Sequence, residues 1–69
     1  MNKDNIMLLK HEKALADKRV REFESTIKEL SELGGGAERE REALAYWQGR
    51  ADAFQIIVGT LELVETLEH

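Results

Sequence analysis

Residues 31–40 read SELGGGAERE, and the three consecutive glycines in this stretch decide the fold. Gly34, Gly35 and Gly36 cost a helix about 3 kcal/mol relative to three alanines, in a chain that contains no proline. Gly34 follows Leu33 at a position where helices commonly end with a left-handed residue. The run lacks the second glycine and the Lys-Ser/Thr pair of a phosphate-binding loop. We therefore predict a tight turn over 34–36 between two helices.

Apolar residues before the turn recur at spacings of three and four, which predicts one long helix over 5–33. Ile6 is one of these residues, and Lys13 is a polar residue that occupies a position of the same spacing. Asp4 or Asn5 is expected to cap the helix start. The same spacing after the turn predicts a second helix over 37–66, with Glu38 and Glu40 in its first turn, where the helix dipole favours acids.

Two long helices and a short link predict an all-α antiparallel hairpin. The basic residues of the first helix then lie beside the acidic end of the second, which favours this orientation. If the turn centres on Gly35, position i faces about position 70 − i, so Trp47 is expected to be buried beside Phe23. The seam between the helices, which is the predicted intrachain core, comprises Leu9, Ala16, Val20, Phe23, Ile27, Leu30, Leu44, Trp47, Ala51, Phe54, Val58 and Leu61.

The second helix carries more apolar surface than one neighbour can cover. Ala45, Gly49 and Ala53 are small residues spaced by four, a pattern that allows another backbone to approach closely. This surplus predicts self-association, with a homodimer in the form of a four-helix bundle as the expected assembly. We call the predicted contact surface the outer face, and it comprises Tyr46, Gly49, Ala53, Ile56, Ile57, Thr60, Leu63 and Val64.

Length and composition limit the possible functions. The chain has 69 residues, no cysteine and a formal net charge of −4, so it forms one domain over 1–66 without disulfides or thiolate metal sites. It has no apolar run long enough for a signal peptide or a membrane span, and a cytoplasmic location is the default. Leu67, Glu68 and His69 look like the start of a vector-derived tag.

Residues 45–54, AYWQGRADAF, contain three of the four aromatic residues, with Arg50 and Asp52 among them. A stacking platform for nucleic acid would need surrounding basic residues, whereas the chain downstream is acidic. We expect Arg50 to lay its stem over the seam with its guanidinium in water, or to pair with Glu22 or Glu24. The run Tyr-Trp-Gln-Gly-Arg-Ala-Asp-Ala-Phe resembles small uncharacterised proteins of bacteriophages and prophages, which implies a small bacterial or phage accessory protein.

No combination of side chains predicts catalysis, a cofactor or a metal ion. His11 is expected to be solvated, and no nucleophile lies beside a base in the predicted hairpin. We therefore expect a non-catalytic protein–protein interaction or scaffolding module. It is expected to bind a second copy of itself or an unidentified protein, and it is not expected to bind a membrane. The alternative is a nucleic-acid accessory or regulatory protein, supported by the basic residues of the first helix, Lys10, Lys13, Lys18, Arg19 and Arg21.

Overall fold

The computed structural model describes residues 3–68, which form two helices joined by a short turn. Helix α1 spans Lys3–Glu32 and helix α2 spans Glu38–Leu67, each 30 residues long. The helices pack against each other, and no strand occurs in the described part of the chain. An ion pair of 3.2 Å between Lys10 Nζ and Glu62 Oε2 joins the start of α1 to the end of α2, so the helices are antiparallel. The predicted all-α hairpin is thus confirmed.

The ends of the helices differ slightly from the predicted bounds of 5–33 and 37–66. Helix α1 begins at Lys3, so Asp4 and Asn5 lie in its first turn and the prediction that either caps the helix is wrong. Asp4 is still placed favourably, because the helix dipole stabilises acids in the first turn. Helix α2 continues through Leu67, into the suspected tag residues, whereas His69 lies outside the described residues.

The glycine run ends α1 with a Schellman motif. Gly34 has φ +79°, its N–H donates to the carbonyl of Ser31 at 3.1 Å, and the N–H of Gly35 donates to the carbonyl of Leu30 at 2.9 Å. These bonds satisfy carbonyl groups that the end of a helix leaves free. The expected left-handed residue at Gly34 is confirmed, and the bend follows from a conformation that glycine adopts without strain.

The turn offers a test with a matched control. Gly34→Ala should destabilise the hairpin by about 1 kcal/mol, because a left-handed conformation is costly for any residue with a Cβ atom. Gly36→Ala should be neutral or stabilising by up to about 1 kcal/mol, since its φ is not left-handed and an added Cβ would meet no atom within 4 Å. Chemical denaturation of both variants compares their free energies of unfolding. Equal values would show that the φ of Gly34 does not determine the bend.

The buried core is a narrow row of small and β-branched side chains between the helices. Ile6, Ala16, Ala51 and Val58 are buried along the seam, and Ala37 is buried at the base of the turn. Among the twelve predicted core residues, Ala16, Ala51 and Val58 are buried and the other nine are half-buried. A two-helix seam has this character because large side chains extend past the edges of a single neighbouring helix.

Trp47 shows the consequence for a large side chain. It is half-buried, so the prediction of a buried indole is wrong. Its ring neighbour is Tyr46, with the ring centroids 5.3 Å apart and the planes at 80°, and no ring pair joins Trp47 to Phe23 within residues 3–68.

Lys13 is accommodated in the seam by a local partner. Its Nζ donates to Asp17 Oδ2 at 2.7 Å, one helical turn further along α1. The Lys13 side chain is 28% exposed, so most of it is covered while its ammonium group is paired. The polar residue therefore does not interrupt the packing of the helices.

The hairpin is a thin rod with extents of 55 × 15 × 14 Å and a radius of gyration of 15.9 Å. A compact chain of this length would have a radius of gyration of about 11 Å. The accessible surface is 5384 Å², whereas a folded monomer of 7.9 kDa is expected to expose about 4,400 Å². The single hairpin thus leaves about 1,000 Å² more surface in water than its mass requires.

Candidate interaction surface

All eight residues of the outer face are exposed in the single hairpin. Five of them are large and apolar, namely Tyr46, Ile56, Ile57, Leu63 and Val64, and between 43% and 69% of each is accessible. Isolated exposed apolar residues are common, but a continuous apolar surface on a soluble protein usually marks an interface. The outer face is therefore the strongest candidate for a functional surface on this chain.

Helical spacing explains why the outer face lies where it does. At 100° per residue, Gly49, Ala53, Ile56 and Thr60 lie on the side of α2 opposite the seam residues Ala51 and Val58. The charged residues of this segment point to the flanks or toward α1, so the outer face carries no charge from Tyr46 to Val64. Its length at 1.5 Å per residue is about 27 Å, half the length of the rod.

The first helix adds apolar surface at the same end of the rod. Met7, Leu8 and Leu15 are exposed near the start of α1, which lies beside the end of α2. The end of the hairpin remote from the turn is thus more apolar than the end that contains the glycines.

Arg50 lies in a cluster of aromatic rings at the edge of the outer face. Its guanidinium carbon is 5.8 Å from the ring centroid of Tyr46, 5.7 Å from that of Trp47 and 5.2 Å from that of Phe54. Its Nη1 also donates to the hydroxyl of Tyr46 at 3.4 Å. Distances below about 6 Å allow a favourable cation–π interaction with each ring.

The alternative in which Arg50 pairs with Glu22 or Glu24 is therefore wrong, and its guanidinium lies over aromatic rings of its own helix. Within residues 3–68, Arg50 has no ion-pair partner, and its Nε is buried without a hydrogen-bond partner. Glu22 instead accepts from Arg19 at 3.2 Å. The spacing could have revealed the cluster, because the three rings lie three or four residues from Arg50 along one helix.

Arg50→Lys tests the aromatic cluster. Lysine keeps the charge but lacks the planar group that spans several rings, so we expect a loss of about 0.5–1 kcal/mol in the free energy of unfolding. Emission of Trp47, the only tryptophan, should also change because its neighbour is altered. Arg39→Lys is the matched control, since Arg39 is exposed and contacts no ring. If the two substitutions changed the free energy of unfolding equally, the ring contacts would not be what holds Arg50 in place.

Much of the basic surface of α1 is neutralised by acids. Lys10 pairs with Glu62, Lys13 with Asp17, and Arg19 with Glu22 at 3.2 Å. Lys18 and Arg21 have no ion-pair partner in the described part of the chain, and they line a shallow surface depression with Glu22, Ser25 and Thr26. Of the five basic residues on which a nucleic-acid role would depend, Lys18 and Arg21 are therefore the two without an ion-pair partner in the described residues.

Histidine, clusters of acidic side chains and the apolar character of the helices are the remaining features of residues 3–68 that bear on function. His11 is exposed, and no cluster of three or more His, Asp or Glu side chains is placed to hold a metal ion. No helix within this range is both long enough and apolar enough to cross a membrane. Comparison of the chain with protein-family models, with curated proteins and with solved structures finds no match.

Proposed function

We propose that this chain is a non-catalytic interaction or scaffolding module that works as a homo-oligomer through its outer face. The observation that carries the proposal is the uncharged row of exposed apolar side chains on the side of α2 opposite the seam. Exposing such a surface is unfavourable, and covering it is the driving force of most protein associations. A second copy of the hairpin would cover this surface and bring four helices together in one dimer, a four-helix assembly.

The thinness of the single hairpin supports the same conclusion. Folding alone buries only about half of the roughly 11,500 Å² that an unfolded chain of 7.9 kDa exposes. Small domains with so little buried surface usually gain stability from disulfides, metals or partner subunits. The sequence contains no cysteine and therefore no disulfide, so we propose that the chain gains this stability by oligomerisation.

Capture of one copy by another tests the proposal. The protein would be expressed with an affinity tag and mixed with an untagged copy under conditions that allow subunit exchange. We expect the tagged copy to retain the untagged one, because each presents the same apolar surface. If the untagged copy passes through at concentrations where both are folded, the homo-oligomeric function is wrong.

A second candidate function is a nucleic-acid accessory role, in keeping with the resemblance of residues 46–54 to small phage proteins. Lys18 and Arg21 support it, because both are cations without acidic partners in the described hairpin. The net charge of −4 opposes it. An electrophoretic shift that persists at about 150 mM salt would favour this role, whereas binding that salt abolishes would indicate only weak charge attraction.

A further inference from the structure

We propose that two copies pair with their α2 helices antiparallel, outer face against outer face, about a two-fold axis near Ile56 and Ile57. This inference rests on the proposed homo-oligomeric function and adds the partner surface and its orientation. It follows from the exposed area, from the distribution of charge along α2, and from the sizes of the side chains on the outer face.

The exposed area matches what a stable dimer needs. The hairpin exposes about 1,000 Å² more than a folded monomer of its mass, while a standard interface removes about 800 Å² from each partner. The outer face extends over about 27 Å of one helix and includes five exposed large apolar side chains. A second copy can supply an equal apolar area without requiring any other protein.

The charges on α2 select the antiparallel orientation. Residues 51–68 contain four acids and no base, whereas residues 38–50 contain three arginines among three glutamates. Parallel helices would place the acidic half of one copy along the acidic half of the other, and like charges across an interface are unfavourable. In an antiparallel pair with its axis near Ile56, position i lies about level with position 112 − i, so the acidic Glu62 of each copy lies about level with Arg50 of the other, whereas Arg39 and Arg41 lie beyond the end of the other copy.

Arg50 contributes a specific group to this complementarity. The aromatic cluster fixes its guanidinium at the edge of the outer face, and no acid of residues 3–68 forms an ion pair with it. An antiparallel partner brings its acidic half toward this cation, whereas a parallel partner brings a second Arg50. Arginine held on aromatic rings is well suited to bind a carboxylate, since its planar N–H groups point outward in a fixed geometry.

Side-chain size favours the same arrangement. The first half of the outer face contains Gly49 and Ala53, and the second half contains the exposed Leu63 and Val64. An axis near Ile56 places Leu63 of one copy over Gly49 of the other, so that a large side chain fills the space above a small one. Parallel packing would place Gly49 against Gly49 and leave that part of the contact unfilled.

Single cysteines test the orientation, because the natural chain contains none. We would make Gly49→Cys, Ile56→Cys and Leu63→Cys. All three positions are exposed in the hairpin, and a Cβ at Gly49 meets no atom within 4 Å, so folding should be preserved. A disulfide requires Cα atoms within about 7 Å of each other. In the antiparallel pair, the two copies of position 49 are separated by about 21 Å along the helix.

We expect Ile56→Cys to cross-link with itself under mild oxidation and to double in apparent mass on a non-reducing gel. Gly49→Cys and Leu63→Cys should each run at the mass of one chain when oxidised alone, but a mixture of the two should form a cross-linked heterodimer. Self-cross-linking of both Gly49→Cys and Leu63→Cys would demonstrate parallel packing and overturn the inference. If no variant cross-links although the proteins remain dimeric by mass, the outer face is not the contact surface and the inference fails while homo-oligomerisation stands. A monomeric mass for all three variants and the natural chain would overturn both.

Discussion

Ala16→Glu is expected to unfold the hairpin. Ala16 is 1% exposed and lies in the seam between the two helices. A glutamate there would be buried as an unpaired charge or would force the helices apart, at a cost of about 3–5 kcal/mol. A single core in a chain of this size supplies only about that much stability. Circular dichroism in the far ultraviolet should show a large loss of helix, because an isolated helix is marginal without its packing surface.

The control is Ala14→Glu, the same substitution two residues earlier in α1. Ala14 is exposed, so this variant should keep its helical signal and change the free energy of unfolding by no more than about 0.5 kcal/mol. Retention of full stability by Ala16→Glu would show that the seam does not hold the hairpin together. Equal unfolding of both variants would attribute the effect to added charge rather than to burial.

Ala53→Glu is expected to separate the dimer while leaving each hairpin folded. Ala53 is exposed in the single chain, on the side of α2 opposite the buried seam residue Ala51. Pairing would transfer two glutamates, one from each copy, into the contact surface, and desolvation of a charge strongly opposes this. We expect the dissociation constant to rise at least 100-fold, which corresponds to about 2.7 kcal/mol. Sedimentation velocity over a concentration series measures the change.

Gln55→Glu provides the matched control because it adds the same charge to the same helix. Gln55 is exposed, but it lies on the polar side of α2, outside the outer face. It should therefore leave the association nearly unchanged. If both variants dissociate equally, the cause is overall repulsion between acidic chains, and the outer face has no special role.

The helices and the turn could be predicted because their signals are local. The spacing of three and four that unites Ala16, Val20 and Phe23 can be read from the sequence without knowledge of the partner helix. The left-handed conformation of Gly34 likewise depends on its immediate neighbours. These features place the outer face opposite the seam, so its position on α2 also follows from helical periodicity.

The depth of burial could not be predicted from the same pattern. Periodicity shows which side of α2 Trp47 occupies, but it does not show how far an indole extends beyond a single neighbouring helix. Arg50 illustrates a different difficulty, since a long side chain can reach water, an acid on α1 or the rings along α2. The structure places it 5.2–5.8 Å from three ring centroids, where many weak interactions replace one ion pair.

The mass of the protein in solution tests self-association most directly. Light scattering coupled to size-exclusion chromatography, at about 100 µM protein, compares the assembled mass with that of one chain. Pairing through the outer face predicts a single species of about 16 kDa, twice the 7.9 kDa of one chain. A single folded species of 7.9 kDa at that concentration would contradict it.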